Sequence, residues 1–166
     1  MRKKQCTREL TWLFILFTVL WFSFLGYRHL VHPDEGRYAE IPREMLATHN
    51  WVTPRLDGYK YFEKPALQYW ATAISYEIFG QNEAAARLWS ALTGFLGVLL
   101  VYFTAKKLYS ARAGLFSAAI LGSSILYSAI AHINTLDMGV NFFLTLSLCA
   151  FVLGQDLRSK NEHDPG

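Results

Sequence analysis

The sequence predicts an all-α integral membrane protein: about four transmembrane helices, with amphipathic juxtamembrane helices carried in a long first loop on the outer, periplasmic face. Three observations predict it. The 166 residues are 52% hydrophobic and 16% aromatic but only 17% charged, well under the roughly 25% typical of soluble domains. The charge is unevenly distributed, with residues 33–65 holding much of it and four other stretches almost none. Basic residues flank those stretches in an order that places them all on one side of a bilayer.

The first stretch, 10–27, follows Arg2, Lys3, Lys4 and Arg8. Its apolar run is longer than a signal-peptide core of about 7 to 15 residues, and no small-x-small cleavage pattern follows, so it reads as an uncleaved signal anchor. The second stretch, 84–105, leads to Lys106 and Lys107; the third, 113–131, and the fourth, 136–154, complete the set. Each comes close to the length needed to cross a ~30 Å hydrocarbon core. Only a few residues around Ser110 separate the second from the third, which predicts a tight hairpin. Residues 132–135 make an equally short turn before the fourth.

Arg2 to Arg8, the Lys106–Arg112 cluster and the pair Arg158 and Lys160 fall on one face, which the positive-inside rule makes cytoplasmic. The N-terminus is then cytoplasmic and the chain multi-pass, with the loop 29–83 outside, in the periplasm if the membrane is the inner membrane of a Gram-negative bacterium. Arg and Lys within that loop do not oppose this, because long loops translocate largely regardless of charge. The net charge of +3 therefore reports topology. No basic stripe with interleaved stacking residues is present, so nucleic acid is not a partner. Cys6 and Cys149 are too few and too far apart for a disulfide framework, and no metal-ligand spacing of Cys or His appears.

Within the loop, Asp34 is expected to open a short helix, with acidic residues suited to its first turn and Pro42 kinking or breaking it near Ile41. Asp57-Gly58 marks a turn between short β-prone runs. A second helix is expected from Pro65, at its first position, to about Phe79, ended by Gly80. Leu67, Trp70, Ile74 and Ile78 recur on one face of it, as in a helix lying at a membrane surface. The end of the chain, 155–166, reads as a polar, disordered tail.

Asp34, Glu35, Arg37, Glu63 and Lys64 of the loop, with Asp137 at the start of the fourth span, are the polar groups that suggest a site. Asp137 stands at the outer entrance of that span, where an ionisable group is costly and either functional or, like Thr135, a helix cap. Asp34 taken alone reads as a cap, Arg37 and Lys64 as interfacial bases with apolar stems, and Glu63 as half of a surface ion pair. Lone histidines at 29, 32 and 132 read as structural. Together these residues read differently. Glu63 and Lys64 lie side by side just before the second loop helix, where neither is committed to a helical partner. Topology brings carboxylates and two bases to the level of the lipid headgroups. Arg and Lys suit phosphate oxygens, and carboxylates suit a hydroxyl nucleophile or a divalent metal.

The succession of one N-terminal span, Asp34-Glu-Gly-Arg-Tyr-Ala-Glu-Ile-Pro-Arg-Glu-Met, Trp51-Val-Thr-Pro, Tyr61-Phe-Glu-Lys-Pro-Ala-Leu-Gln-Tyr-Trp and Thr135-Leu-Asp-Met resembles the bacterial aminoarabinose lipid A transferases, part of the protein O-mannosyltransferase-like group of GT-C glycosyltransferases. The resemblance runs from about residue 10 to residue 154. It implies a membrane glycosyltransferase that moves a sugar, with inversion, from a polyprenyl-phosphate donor to lipid A or another envelope acceptor. It further implies Asp34 and Asp137 as catalytic acids, Arg37, Tyr61 and Lys64 as donor-phosphate contacts, and Glu63 as a ligand of a divalent metal. Members of the family are several times longer, so 1–154 resembles only the N-terminal part of the membrane domain with its metal site incomplete, and the chain reads either as a truncated piece of such an enzyme or as one part of a split enzyme whose remainder another chain supplies. The alternative is a non-catalytic four-span partner that binds lipid phosphate, or an inert remnant of such an enzyme.

Overall fold

The computed structural model describes residues 2–163, with side chains described for 11–158. Cys6 and the last three residues of the tail lie outside the side chains so described. The elements run α1 (Arg2–Phe22), α2 (Asp34–Thr48), β1 (Arg55–Leu56), β2 (Tyr59–Lys60), α3 (Leu67–Phe79), α4 (Glu83–Leu108), α5 (Ala111–Ser123), α6 (Ile125–Ala131) and α7 (Asp137–His163). The expected all-α architecture holds, and among the described residues the one sheet is the two-stranded hairpin.

Among the described residues, α4 and α7 are each long and apolar enough to cross a membrane. The expected third span is broken: α5 and α6 meet at Ser124 and bend by 67°. No proline causes this. Ser124 adopts an extended conformation, and the Ser128 hydroxyl donates to the Gly122 carbonyl at 2.9 Å, taking up an acceptor that the break releases. In the first stretch the described apolar helix is Thr11–Phe22, and the chain turns at 23–28.

Helix α4 is the axis of the fold. Asn82 caps it, accepting from the Ala85 N–H at 2.9 Å, while Glu83 in the first turn and Lys106 and Lys107 in the last complement its macrodipole. Ser110 caps α5 in the same way and closes the expected tight hairpin. Trp21, Leu25, Ala91, Phe95, Val98, Ala131 and Met138 bury a common core from α1, α4, α6 and α7. The Trp21 indole donates to the Ala91 carbonyl at 2.9 Å, so its ring is both packed and satisfied. Gly94 permits this closeness: a Cβ there would stand 2.7 Å from the Ala131 Cβ.

Four local expectations need correcting. Pro42 does not break α2, which runs continuously through it. The missing N–H costs one bond, but Ile41 and Met45 are buried against Tyr69 of α3, and that packing holds the helix together. Asp34 is not the cap of α2: Pro33 occupies that place without a capping side chain, and Asp34 is the first helical residue, bonded instead to Arg37. Pro65 precedes α3, whose cap is Ala66. Finally, α7 carries on past Gly154 to His163, because the polar residues that follow it are compatible with helix.

The apolar stripe of α3 points outward, as a membrane-surface helix requires. Leu67, Trp70, Ile74 and Ile78 are exposed, whereas Gln68, Tyr69, Thr72, Ser75 and Tyr76 face the protein. The expected turn is formed at Asp57-Gly58, both with positive φ (53° and 80°), the geometry of a primed two-residue hairpin.

Candidate functional site

Three segments far apart in sequence build one polar cavity of about 240 Å³, lined by Asp34, Arg37, Tyr38, Tyr61, Glu63, Lys64, Thr135 and Asp137. The six residues given site roles by the resemblance, Asp34, Arg37, Tyr61, Glu63, Lys64 and Asp137, all line it, whereas Glu35, the remaining polar candidate of the loop, does not. Asp34, Arg37 and Tyr38 come from the first turn and a half of α2, Tyr61, Glu63 and Lys64 from the chain leaving the hairpin, Thr135 from the turn before α7 and Asp137 from its first position.

The hairpin is held by Glu44 of α2, whose carboxylate accepts from the Gly58 N–H at 3.2 Å, and by the Tyr61 N–H, which donates to the Pro54 carbonyl at 2.9 Å. That fixes the direction in which Tyr61 leaves. Its hydroxyl donates to Glu63 Oε2 at 2.9 Å. Partial burial, and then this carboxylate, raise the Tyr61 hydroxyl above its ordinary pKa, keeping it protonated and a donor. Arg37 Nη2 donates to Asp34 Oδ1 at 2.7 Å, an exposed pair one helical turn apart. Lys64 makes no ion pair among the described residues. Three carboxylates and two bases therefore meet in one cavity, and only one of each is committed to the other.

Sequence reasoning gave no role to Tyr38 or to the support beneath the cavity. Tyr38 stacks on Tyr69 with ring centroids 6.1 Å apart. Burial first, then Tyr61, Asp137 and Asp34, raise its hydroxyl pKa. Glu35 is 1% exposed and turns away from the cavity. It accepts from Arg87 Nε at 2.8 Å and Nη2 at 3.0 Å, from the Val31 N–H at 2.9 Å and from the Asn134 N–H at 2.9 Å. Arg87 in turn donates to the carbonyls of Leu25 and Arg28, each at 2.6 Å, and of His29 at 3.1 Å. Burial alone would raise the Glu35 pKa, but these bonds and the Arg87 charge hold it below the ordinary carboxylate value. One buried ion pair thus ties α4 to the end of the first stretch, to the residue beside Asp34 and to the residue beside Thr135. The only signal in the sequence was an arginine inside an apolar stretch, where an unpaired charge is not tolerated.

Beside the polar cavity lies an apolar groove of about 330 Å³, lined by Pro65, Leu67, Trp89, Leu136, Val140 and Phe143 among others. Pro65 and Leu136 are chain neighbours of the cavity residues Lys64, Thr135 and Asp137, so groove and cavity adjoin. Metal-binding geometry falls elsewhere. Among the described residues, the carboxylates that converge within 4.8 Å are Glu40, Glu44 and Asp57, and Glu63 is not one of them. Glu40 is taken by Arg43, and Glu44 by the hairpin N–H groups.

The model of the family described as dolichyl-phosphate-mannose-protein mannosyltransferase matches residues 6–163. The undecaprenyl phosphate-alpha-4-amino-4-deoxy-L-arabinose arabinosyl transferase 2 of Sodalis glossinidius is 41% identical over 128 residues, 76% of this chain and 23% of that protein. The corresponding transferase of Erwinia tasmaniensis is 39% identical over 150 residues, 89% of this chain and 27% of its own. The crystal structure of ArnT from Cupriavidus metallidurans in the apo state superposes with a TM-score of 0.88 at 42% identity, over 91% of this chain and 28% of that one. The same protein bound to undecaprenyl phosphate gives 0.87 at 43%, over 90% and 28%. This chain spans about a quarter of the length of these relatives. With nearly its whole length matched by the family model and its fold shared with a solved relative, the chain belongs to the dolichyl-phosphate-mannose-protein mannosyltransferase family.

Proposed function

We propose that the cavity is the donor site of a glycosyltransferase that moves a sugar from a polyprenyl phosphate to lipid A or another envelope acceptor on the outer face of the inner membrane. The observation that carries this is the juxtaposition of a polar, two-base cavity with an apolar groove. A lipid phosphate has that division, with a charged head and a hydrocarbon tail. The relatives are named for transfer from undecaprenyl phosphate, and one solved relative holds that lipid.

In this reading the acceptor oxygen bonds to the anomeric carbon as the bond from that carbon to the phosphate oxygen breaks. The electron pair leaves with the polyprenyl phosphate. Lys64, not engaged by a carboxylate, and Arg37 stabilise the charge that gathers on that phosphate, and preorganised charge of this kind is a large catalytic term. Asp34 and Asp137 border the space an acceptor hydroxyl would enter and would take its proton. Glu63 offers one oxygen beyond the one bonded to Tyr61. A hard divalent cation takes six or more oxygen ligands, so Glu63 would supply one ligand, with the others from water or from donors outside this cavity.

The test is binding of undecaprenyl phosphate, against undecaprenol, to the 166-residue chain in lipid nanodiscs. Preference for the phosphate, abolished in Lys64→Ala, is expected; equal binding of the two lipids would overturn the donor-site reading. A second reading, binding without transfer, is favoured by the pairing of Asp34 with Arg37, since the guanidinium already occupies an oxygen that would otherwise accept the acceptor's proton. Release of sugar from the glycosylated lipid separates the two readings.

A further inference from the structure

Of the cavity's polar side chains, Thr135 is held in an unusual way. Its Oγ1 is shielded from solvent yet has no hydrogen-bond partner among the described residues. Its backbone is fixed on both sides: the N–H donates to the Ile133 carbonyl at 2.9 Å, and the carbonyl accepts from the Ser90 hydroxyl at 3.3 Å. Asn134, its neighbour, is bonded through its N–H to Glu35. Thr135 lines the cavity with its backbone held on both sides, and its shielded, unpartnered hydroxyl carries a desolvation cost that nothing in the fold offsets. Such a cost is retained where a ligand offsets it.

We propose that Thr135 Oγ1 donates a hydrogen bond to an oxygen of the bound lipid phosphate, making it, with Lys64, a donor-phosphate contact. The proposal rests on the donor-site reading given above and names a residue that reading did not use. Chemistry favours phosphate as the partner. Lys64 lines the same cavity without a carboxylate partner, and Thr135 lies just before the first turn of α7, where the free N–H groups favour an anion. A hydroxyl donating to a charged oxygen makes a stronger bond than one donating to a neutral group.

The test compares wild type, Thr135→Val and Thr135→Ser, each as the full 166-residue chain in nanodiscs, binding undecaprenyl phosphate and undecaprenol. Valine keeps the β-branched shape and removes only the hydroxyl. Thr135→Val should weaken undecaprenyl phosphate binding roughly tenfold and leave undecaprenol binding unchanged. Thr135→Ser should retain most of the wild-type affinity. Without lipid, Thr135→Val should melt no lower than wild type, because the lost hydroxyl had no partner. If wild type fails to prefer the phosphate, the donor-site reading itself falls and this contact with it. If Lys64→Ala loses that preference while Thr135→Val binds as wild type, the contact alone is overturned. A Thr135→Val chain that binds both lipids poorly and melts lower would make the hydroxyl structural, which also overturns it.

Discussion

Glu35 shows most clearly what a single residue does for this site without touching it. It sits beside Asp34 in sequence, yet points into the protein and holds Arg87 and the Asn134 N–H. Its folded pKa lies below the ordinary 4.5, so the sign is fixed: the carboxylate contributes its full stability above the unfolded pKa, and that contribution fades as pH falls through the folded value. Thermal melts of wild type and Glu35→Gln should therefore differ at neutral pH and converge as the medium is acidified below about 4.5. A difference that stays constant with pH would rule out the charge as the cause. Removing the partner is costlier. Arg87→Met leaves the buried carboxylate with only the longer 3.3 Å pair to half-exposed Arg28 and should cost about 3–5 kcal/mol in unfolding measurements. Asp34, Arg37, Glu63, Lys64 and Asp137 could be grouped as candidates from their chemistry and the membrane topology, whereas Tyr61 joined them only through the family resemblance. The role of Glu35 was not legible, since its partners lie 52 and 99 residues away and only the folded chain brings them near.

At the scale of elements, periodicity was read correctly where one face of a helix alone decides its environment. In α3 the apolar stripe faces out while Gln68, Thr72 and Ser75 face in, the reverse of a soluble helix. That inversion predicts contact with lipid. A spin label at Ile74→Cys, with Cys6 and Cys149 replaced by serine, should be relaxed by oxygen, which partitions into lipid, and not by a water-soluble nickel reagent. The opposite pattern would place α3 in water and remove the membrane from beneath the cavity. Periodicity failed where packing overrides it. Pro42 is carried inside α2 by the burial of Ile41 and Met45, and the α5–α6 break comes from a Gly122-Ser-Ser run whose freed carbonyl a nearby serine satisfies. Neither is visible in a count of apolar residues.

For the molecule as a whole, α4 sets the distance between the site and the basic turn. Arg87 and Ser90, near its N-terminus, hold Glu35 and the Thr135 carbonyl. Lys106 and Lys107 end it, just before Arg112. At about 1.5 Å per residue its 26 residues extend for about 39 Å, more than a ~30 Å hydrocarbon core. Cavity and basic turn must then lie on opposite sides of any bilayer that α4 crosses. With the basic turn cytoplasmic, as the positive-inside rule leads us to propose, the cavity would lie outside, where an envelope acceptor could reach it. In spheroplasts of an expressing bacterium, with both native cysteines replaced by serine, Asp57→Cys in the hairpin should react with a membrane-impermeant maleimide. Ser110→Cys should react only after permeabilisation. The reverse pattern would invert the topology and confine the cavity to cytoplasmic substrates. Labelling of both from outside would mean that α4 does not span, and an apolar groove beside a polar cavity would then need an explanation other than a membrane lipid.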